Sequence, residues 1–168
     1  MSLQFLFSTG RVIRTFMLVA TIAATALSPS GARAQSPDEK AVVGVVERFF
    51  EGMLKSDSMI MKSTVAAGAR LTGVSMREGT PTLTAIPMDQ FISSVGSRPP
   101  GTNERIYQPE VRIDGDLATV WTFYTLHAGE RFVHCGIDAF QLLRMGADWK
   151  IVNVSDTRRT TNCDPPKM

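Results

Sequence analysis

Apolar residues recur at helical spacing in the part of the chain that follows residue 35. Val42, Val46, Phe49 and Met53 are three or four residues apart, and charged residues occupy the opposite side. The segment SPDE at 36–39 supplies a capping serine, a proline suited to the first helical turn and a glutamate at the capping-box position. The pattern predicts an amphipathic helix that begins near residue 37 and lies over a core.

The apolar pattern then shortens and changes its period. Two shorter helices are predicted at 59–66 and 88–95, and two extended pieces at 70–76 and 82–86. Beyond residue 104 the pattern is that of strands, which are predicted at 106–113, 117–126, 131–144 and 149–157. Turns at 114–115, 128–129 and 146–147 separate these strands, and the first of them, Asp-Gly, is a strong hairpin signal. The order predicts a single α+β domain in which helices cover one face of an antiparallel meander.

Residues 1–34 have the features of an export signal. Arg11 and Arg14 precede an apolar run of about 13 residues at 15–27, and the segment ARA at 32–34 is an A-x-A cleavage site. The run is shorter than the roughly 20 residues of a membrane-spanning helix. We expect cleavage before Gln35, export to the periplasm or the exterior, and no stable membrane insertion afterwards. A retained anchor is the alternative.

Removal of the signal changes the charge balance of the chain. The sequence contains 18 Lys and Arg and 16 Asp and Glu residues. Arg11, Arg14 and Arg33 lie in the signal, which leaves 15 basic against 16 acidic residues in the expected mature protein. A near-neutral chain without a basic cluster gives no support to nucleic acid as a partner.

The chain contains two cysteines, Cys135 and Cys163. In an oxidising compartment an isolated pair predicts a disulfide, here one that holds the C-terminal tail at 161–168 against the sheet. Closing a loop of this length stabilises a protein by roughly 3 to 4 kcal/mol in the chain-entropy model. Two free thiols are the alternative.

The order of elements and the segment CGIDAFQLLRMGADWKIVNVSDTR at 135–158 resemble the nuclear-transport-factor-2-like superfamily, in its SnoaL-like and ketosteroid-isomerase-like branch. The resemblance covers about residues 38–158. It implies a cone-shaped α+β roll over 35–160, in which a curved sheet and the first helices enclose a pocket for small molecules. It also implies a homodimer as a frequent assembly. The superfamily includes isomerases, cyclases, dehydratases and proteins without a known reaction, so the fold does not assign the chemistry.

Counting outward from two-residue turns divides the strand residues between two faces of the sheet. One face combines bulky aromatic and isolated polar residues, as ligand pockets do. We expect the ligand to contact residues of this face, namely Trp121, Phe123, His134, Asp138, Phe140 and Asn153. The other face receives Tyr124, Cys135, Val154 and Asp156. A slip of one residue at any turn would exchange the faces of the strands beyond it.

His134 and Asp138 are the candidate acid and base of this face, because both residue types can exchange protons with a substrate. They are roughly 13 Å apart along one strand, so no direct pair is expected. A purely structural role for both is the alternative. In the family that the sequence resembles, an acid at the position of Asp57 can line the mouth of the cone, but the local sequence favours a helix cap, and Asp156 can form an ion pair with Arg158. The tyrosine and aspartate set of the ketosteroid isomerases cannot be placed on the expected face.

Other reaction types lack their motifs. His127 and His134 have no ligand spacing that specifies zinc, and the sequence has neither a glycine-rich phosphate loop nor a nucleophile elbow. We therefore expect no metal and no cofactor.

The sequence predicts an exported protein that binds a small hydrophobic molecule. A cofactor-independent isomerase, cyclase or dehydratase with His134 or Asp138 as base is the alternative, and an interaction module that dimerises through the outer sheet face is compatible with either.

Overall fold

Three helices and six strands make up the part of the chain that the computed structural model describes, residues 35–77 and 79–167. The helices are α1 (Pro37–Lys55), α2 (Ser58–Thr64) and α3 (Met88–Gly96). The strands are β1 (Val65–Arg77), β2 (Thr80–Pro87), β3 (Thr102–Asp114), β4 (Leu117–Ala128), β5 (Arg131–Met145) and β6 (Asp148–Arg158). The expected export signal at 1–34 lies outside the described residues.

The first helix begins where the capping sequence predicted. The Ser36 side chain accepts a hydrogen bond from the Glu39 backbone nitrogen at 3.2 Å, and the Glu39 carboxylate accepts one from the Ser36 nitrogen, so the predicted capping box is confirmed. Asp57 caps α2 through hydrogen bonds from the Met59 and Ile60 nitrogens. These contacts give Asp57 the structural role that its position predicted.

The six strands form one mixed sheet in the order β2-β1-β6-β5-β4-β3. The antiparallel meander predicted for β3 to β6 is confirmed, and the predicted α+β roll is the fold observed. The parallel pairing of β1 with β6 was not predicted. It places Gly73 of β1 beside Asp156 of β6 and so adds a fifth strand next to the meander.

Two β-bulges reverse which face of the sheet the side chains of neighbouring strands point to. Leu126 pairs with His134 but His127 pairs with Phe132, so Val133 is an extra residue on β5. Gln141 pairs with Asn153 but Leu142 pairs with Ile151, so Val152 is an extra residue on β6. Each bulge shifts the register by one residue, which turns side chains beyond it to the opposite face.

The predicted division of faces is therefore wrong for part of the sheet. The inner face, defined as the one that packs against α1 and α3, carries Tyr124, His134, Asp138, Phe140, Val154 and Asp156. The outer face carries Trp121, Phe123, Gln141, Asn153 and Ser155. Trp121, Phe123 and Asn153 were expected beside His134, and the bulges at Val133 and Val152 place them on the other side of the sheet.

The core lies between the inner face and the buried sides of α1 and α3. Val46, Phe50 and Ile92 of the helices pack with Phe140 and Leu142 of β5, and the rings of Phe50 and Phe140 meet edge to face at 5.8 Å. Burial of each such side chain stabilises the fold by about 1.5 to 3 kcal/mol. Among the described residues, no helix has the length and apolar character needed to cross a bilayer.

The C-terminal tail is tied to β5 on the outer face. The predicted Cys135–Cys163 disulfide is confirmed, with the two Cα atoms 5.6 Å apart. Arg159 and Cys135 also exchange two backbone hydrogen bonds of 2.9 Å. The tail residue Arg159 places its guanidinium over the ring of Phe123, which buries that ring from the outer side.

Candidate functional site

A cavity of about 440 Å³ lies between the inner face of the sheet and the helices α1 and α3. Its wall is largely apolar and aromatic, and the rings of Phe49 and Phe91 stack at 6.2 Å on the helix side. Other apolar lining residues are Phe50, Met53, Leu71, Ile86, Phe140 and Val154. A cavity of this size and composition can enclose a small organic molecule.

Ionisable side chains from three strands meet on the sheet side of the cavity wall. They are Glu104 of β3, His134 and Asp138 of β5, and Asp156 and Arg158 of β6. Asp138 and Asp156 are direct partners across the β5–β6 pair, so their side chains leave the sheet on the same side. Gly73 makes room for Asp156 and its partner Arg158, because a Cβ atom at this position would lie 3.0 Å from Asp156 Oδ1 and 3.1 Å from Arg158 Nη2.

Arg158 neutralises Asp156 by a two-point ion pair. The Arg158 Nη2 and Nε atoms donate to Asp156 Oδ2 at 2.8 and 3.0 Å. The spacing of two residues on one strand places both side chains on the inner face. The pairing that the sequence allowed for Asp156 is confirmed, and it lies in the cavity wall.

Glu104 and Asp138, named here the acid pair, share a hydrogen bond between their carboxyl groups. Burial, reinforced by the neighbouring Glu104 carboxylate, raises the pKa of Asp138 well above its usual range. Burial also raises the pKa of Glu104 to about 7, partly offset by the hydrogen bond from Asp138. Near neutral pH Glu104 is therefore divided between its two forms, and the raised pKa of Asp138 favours its protonated form.

The acid pair has few protein hydrogen-bond donors. Asp138 is only 2% exposed, and its Oδ2 atom receives no hydrogen bond from a donor group of the described residues. Among the described residues, the hydrogen bond between the two carboxyl groups is the only one found for the pair. Nearby donors are used elsewhere, since Arg158 is bonded to Asp156 and the Thr122 hydroxyl donates to the Tyr107 carbonyl.

His134 is a neutral, hydrogen-bonded side chain. Its Nδ1 atom lies 3.0 Å from the Tyr124 hydroxyl oxygen, and that hydroxyl donates to the Thr157 carbonyl at 2.9 Å. With the Tyr124 hydrogen used in this way, the network assigns the imidazole hydrogen to Nδ1. Burial, with a further contribution from Arg158, lowers the pKa of His134. Burial raises the pKa of Tyr124, so its hydroxyl stays protonated.

The structure brings three of the six expected ligand contacts together in the cavity wall, His134, Asp138 and Phe140. Trp121 is 55% exposed on the outer face, where Asn153 also lies. Phe123 packs against the ring of Tyr107 at 5.9 Å, also away from the cavity. The expectation that these three residues face the pocket is wrong because of the two bulges.

Sequence reasoning missed three ionisable residues of the wall, Glu104, Asp156 and Arg158. The paired charges at 156 and 158 were a usable signal, since residues two apart on a strand share a face. Glu104 lies at the start of β3, two residues before the apolar Ile106 of the same face. In the described part of the chain, no group of three or more His, Cys, Asp or Glu side chains is placed to hold a metal ion.

Comparison with known proteins bears on the fold and the family. The family model described as "Putative lumazine-binding" matches residues 37–155. A solved NTF2-like protein of unknown function from Shewanella baltica is 21% identical, with a TM-score of 0.60, and the match covers 76% of this chain and 100% of that one. A cystatin-like-fold protein of unknown function from Nostoc punctiforme is 13% identical, with a TM-score of 0.62, over 77% of this chain and 97% of that one.

A third solved structure, titled a "putative ketosteroid isomerase", comes from Shewanella frigidimarina. It is 15% identical, with a TM-score of 0.51, and the match covers 69% of this chain and 94% of that one. None of the curated proteins compared with the chain matches it. At these identities the solved structures establish the nuclear-transport-factor-2-like fold and leave the chemistry to the residues of the cavity.

Proposed function

Because the chain belongs to the Putative lumazine-binding family and has the nuclear-transport-factor-2-like fold, we propose that it binds a small, largely apolar molecule in the cavity beneath α1 and α3. The observation that carries this proposal is the cavity of about 440 Å³, with aromatic side chains on its helix side and ionisable groups on its sheet side. Such a wall provides apolar contact for most of a ligand and a few polar groups that orient it.

The binding proposal is tested by filling the cavity from α3. Ser94 lines the cavity, whereas its neighbour Ser93 is exposed and does not. Native mass spectrometry of protein isolated from its own host should detect a co-purifying small molecule in the wild type and in Ser93→Trp. Ser94→Trp should lose that molecule. Equal occupancy in both variants, or an empty wild-type protein, would contradict the proposal.

Export is proposed together with binding. The Cys135–Cys163 disulfide supports it, because disulfides persist mainly in oxidising compartments. Cell fractionation followed by N-terminal sequencing should find the protein outside the cytoplasm, beginning at Gln35. A cytoplasmic protein that keeps residues 1–34 would contradict this part of the proposal.

Proton-transfer catalysis is the second candidate function, as a cofactor-independent isomerase, cyclase or dehydratase. The acid pair favours it, since a carboxyl group with a pKa of about 7 in an apolar cavity is suited to accept and return a proton near neutral pH. Glu104 is then the base, and Asp138, which shares a hydrogen bond with it, is the positioning group. This assignment prefers Glu104 to His134 as base, because burial lowers the pKa of His134 and raises that of Glu104.

A β,γ-unsaturated ketone in deuterated water tests the catalytic candidate. Isomerisation with deuterium incorporation, followed by mass spectrometry, should fall about 100-fold or more in Glu104→Gln, the usual contribution of a general base. Glu110→Gln, an exposed glutamate of the same strand, should retain the wild-type rate. Unchanged turnover in Glu104→Gln and Asp138→Asn, or no turnover by the wild type, would exclude this chemistry.

A homodimer through the outer face is proposed as the assembly. Trp121 is 55% exposed on that face, and it lies beside a shallow depression formed with Glu110, Gln141, Asn153 and Ser155. Large exposed aromatic side chains are enriched at protein interfaces. This assembly would leave the cavity, on the inner face, open to its ligand.

A further inference from the structure

In the described part of the chain, no group outside the acid pair donates a hydrogen bond to it, and this indicates what the cavity binds. We propose that the molecule held in the cavity carries a protonated amine, which donates hydrogen bonds to the carboxyl oxygens of Glu104 and Asp138. The inference rests on the proposed binding function and specifies its ligand class. The ligand would be a small apolar amine, with its ammonium group against the acid pair and its apolar body among the aromatic residues.

Charge balance in the cavity wall favours a cation. Asp156 is already neutralised by Arg158, whose Nη2 atom lies 2.8 Å from Asp156 Oδ2. The acid pair has no basic partner of its own among the hydrogen bonds and ion pairs of the described residues, and Asp138 is almost completely buried. A buried carboxylate without a positive partner is unfavourable, so a ligand that supplies this charge gains affinity from it.

Hydrogen-bond capacity leads to the same ligand class. Two carboxyl groups offer four oxygen atoms, and the acid pair itself provides one hydrogen for them. Asp138 Oδ2 receives no donor from the described protein groups, although its side chain lines the cavity. An ammonium group brings three donors, an alcohol brings one, and a carboxylate brings none.

A carboxylate ligand is disfavoured by the same surroundings. It would bring negative charge beside Glu104 and Asp156, and Arg158 already uses two of its nitrogens for Asp156. Arg98, the other cation of the wall, is exposed and donates to the Ser94 hydroxyl at 2.9 Å. An anion would therefore compete with existing contacts, while a cation would satisfy groups that lack them.

The proton balance of binding follows from the acid pair. When the ammonium group enters below the pKa of Glu104, the Glu104 O–H bond breaks and its proton leaves to solvent. Asp138 keeps the hydrogen of its own carboxyl group, and the ammonium keeps its three hydrogens. Affinity should therefore rise with pH through the range in which Glu104 loses its proton. The other ionisable groups that face the pair are His134, Tyr124, Asp156, Arg158 and, at the exposed side, Arg98.

The surrounding ionisable groups do not reverse the expected rise of amine affinity with pH. Burial lowers the pKa of His134, and any positive charge that the imidazole gains at lower pH would weaken amine binding in the same direction as protonation of Glu104. Tyr124 remains protonated because burial raises its pKa. Arg158 is held charged by Asp156, whose hydrogen bond raises the pKa of the guanidinium despite its burial. The pH dependence is thus expected to follow the acid pair.

Three ligands with one apolar body test the inference: phenylbutylamine, phenylbutanol and phenylbutanoate. Isothermal titration calorimetry of the wild-type protein should show the amine binding at least tenfold more tightly than the other two at about pH 8. Amine affinity should fall about tenfold at about pH 6, in step with protonation of Glu104. Titrations in buffers of different ionisation enthalpy should show release of a proton when the amine binds at the lower pH.

Matched variants test whether the acid pair causes the preference for the amine. Glu104→Gln and Asp138→Asn should reduce the preference for the amine over the alcohol, and Glu110→Gln on the outer side of β3 should keep it. Equal binding of amine and alcohol by the wild type would overturn the inference and leave apolar binding intact. Failure of all three ligands to bind would contradict the proposed function as well as the inference. The wild-type comparison needs no variant to fold.

Discussion

Tyr124 donates its phenolic hydrogen to the backbone carbonyl of Thr157, 2.9 Å away, and so joins β4 to the end of β6 across the intervening strand β5. The Tyr124 ring reaches this carbonyl by passing over Gly136, its direct partner on β5. The same hydroxyl lies 3.0 Å from His134 Nδ1. One buried hydroxyl therefore fixes both the end of β6, where Asp156 and Arg158 lie, and the orientation of the imidazole.

Gly136→Ala is predicted to destabilise the protein strongly. A Cβ atom at this position would overlap the Thr157 carbonyl oxygen and would lie 2.9 Å from Cε1 of Tyr124, so the hydroxyl contact could not persist. Overpacking of this kind destabilises a protein by about 1 to 3 kcal/mol, and a clash with backbone belongs at the upper end. Urea unfolding followed by circular dichroism would measure the loss.

Gly44→Ala is the control for Gly136→Ala, because it makes the same change at a position with open space. Gly44 lies within α1, and a Cβ atom there would meet nothing within 4 Å. Alanine should stabilise this helix by roughly 0.5 to 1 kcal/mol relative to glycine. A Gly136→Ala protein as stable as the wild type would show that Tyr124 reaches Thr157 without the space that Gly136 leaves.

The Cys135–Cys163 disulfide is predicted to stabilise the fold, because it holds the C-terminal tail against β5. Cys163→Ser should lower the free energy of unfolding by roughly 2 to 4 kcal/mol, because the unfolded chain would lose a covalent loop closure. Addition of a reducing agent should destabilise the wild type by a similar amount and should leave Cys163→Ser unchanged. Cys163 is the better position to mutate, since Cys135 is completely buried and its replacement would also disturb the core. Equal stability of reduced and oxidised wild-type protein would contradict this role.

The sequence predicted most elements of this fold because their signals are local. The capping segment before α1, the periodicity of Val42 to Met53 and the turn between β5 and β6 each depend on a few adjacent residues. The expected pairing of Met145 with Asp148 at that turn is the one observed. The Cys135–Cys163 bridge also followed from the sequence, since two cysteines in a chain expected to be exported leave a single intramolecular pairing.

The inner face could be predicted only in part, because a bulge leaves no strong local signal. Val133 and Val152 are ordinary strand residues by type, yet each is an extra residue in its ladder. His134, Asp138 and Phe140 share one strand beyond the first bulge, so their common face was predictable. Their neighbours on β4 and β6 were assigned to the wrong side, which separated Asp156 from Asp138 in the prediction.

The raised pKa of Glu104 also could not be predicted from the sequence. Nothing adjacent to residue 104 shows that its carboxyl group meets Asp138, 34 positions later in the chain. The contact depends on the curvature of the sheet and on the register that the bulges set. Long-range contacts between acids are therefore the part of this site that required the structure.

Trp121→Lys is predicted to weaken the proposed homodimer. Loss of a central aromatic contact at an interface is commonly worth 2 kcal/mol or more, about a thirtyfold increase in the dimer dissociation constant. Sedimentation velocity over a range of concentrations would measure it. Leu54→Lys, at an exposed apolar residue of α1, should leave the dimer unchanged. A monomeric wild type, or a dimer that Trp121→Lys does not affect, would contradict assembly through the outer face.

Glu104 is predicted to make the protein less stable as the pH rises from about 5 to 8. Its pKa is raised from the usual 4.5 to about 7, so the folded state binds more protons than the unfolded state between these values. The free energy of unfolding is therefore highest below the lower value and falls as the pH passes through the higher one. The full difference between the pKa of Glu104 in the folded and unfolded states corresponds to at most about 3 kcal/mol of unfolding free energy.

Glu104→Gln should remove much of this pH dependence, because the amide has no proton to lose. The variant should be more stable than the wild type at about pH 8 and close to it at about pH 5. Urea unfolding at several pH values would give both curves, and Glu110→Gln should follow the wild type because this exposed side chain lies outside the cavity. Parallel curves for the wild type and Glu104→Gln would mean that the carboxyl group of Glu104 titrates in the folded protein as it does in the unfolded chain. The pH dependence expected for amine binding would then lose its basis.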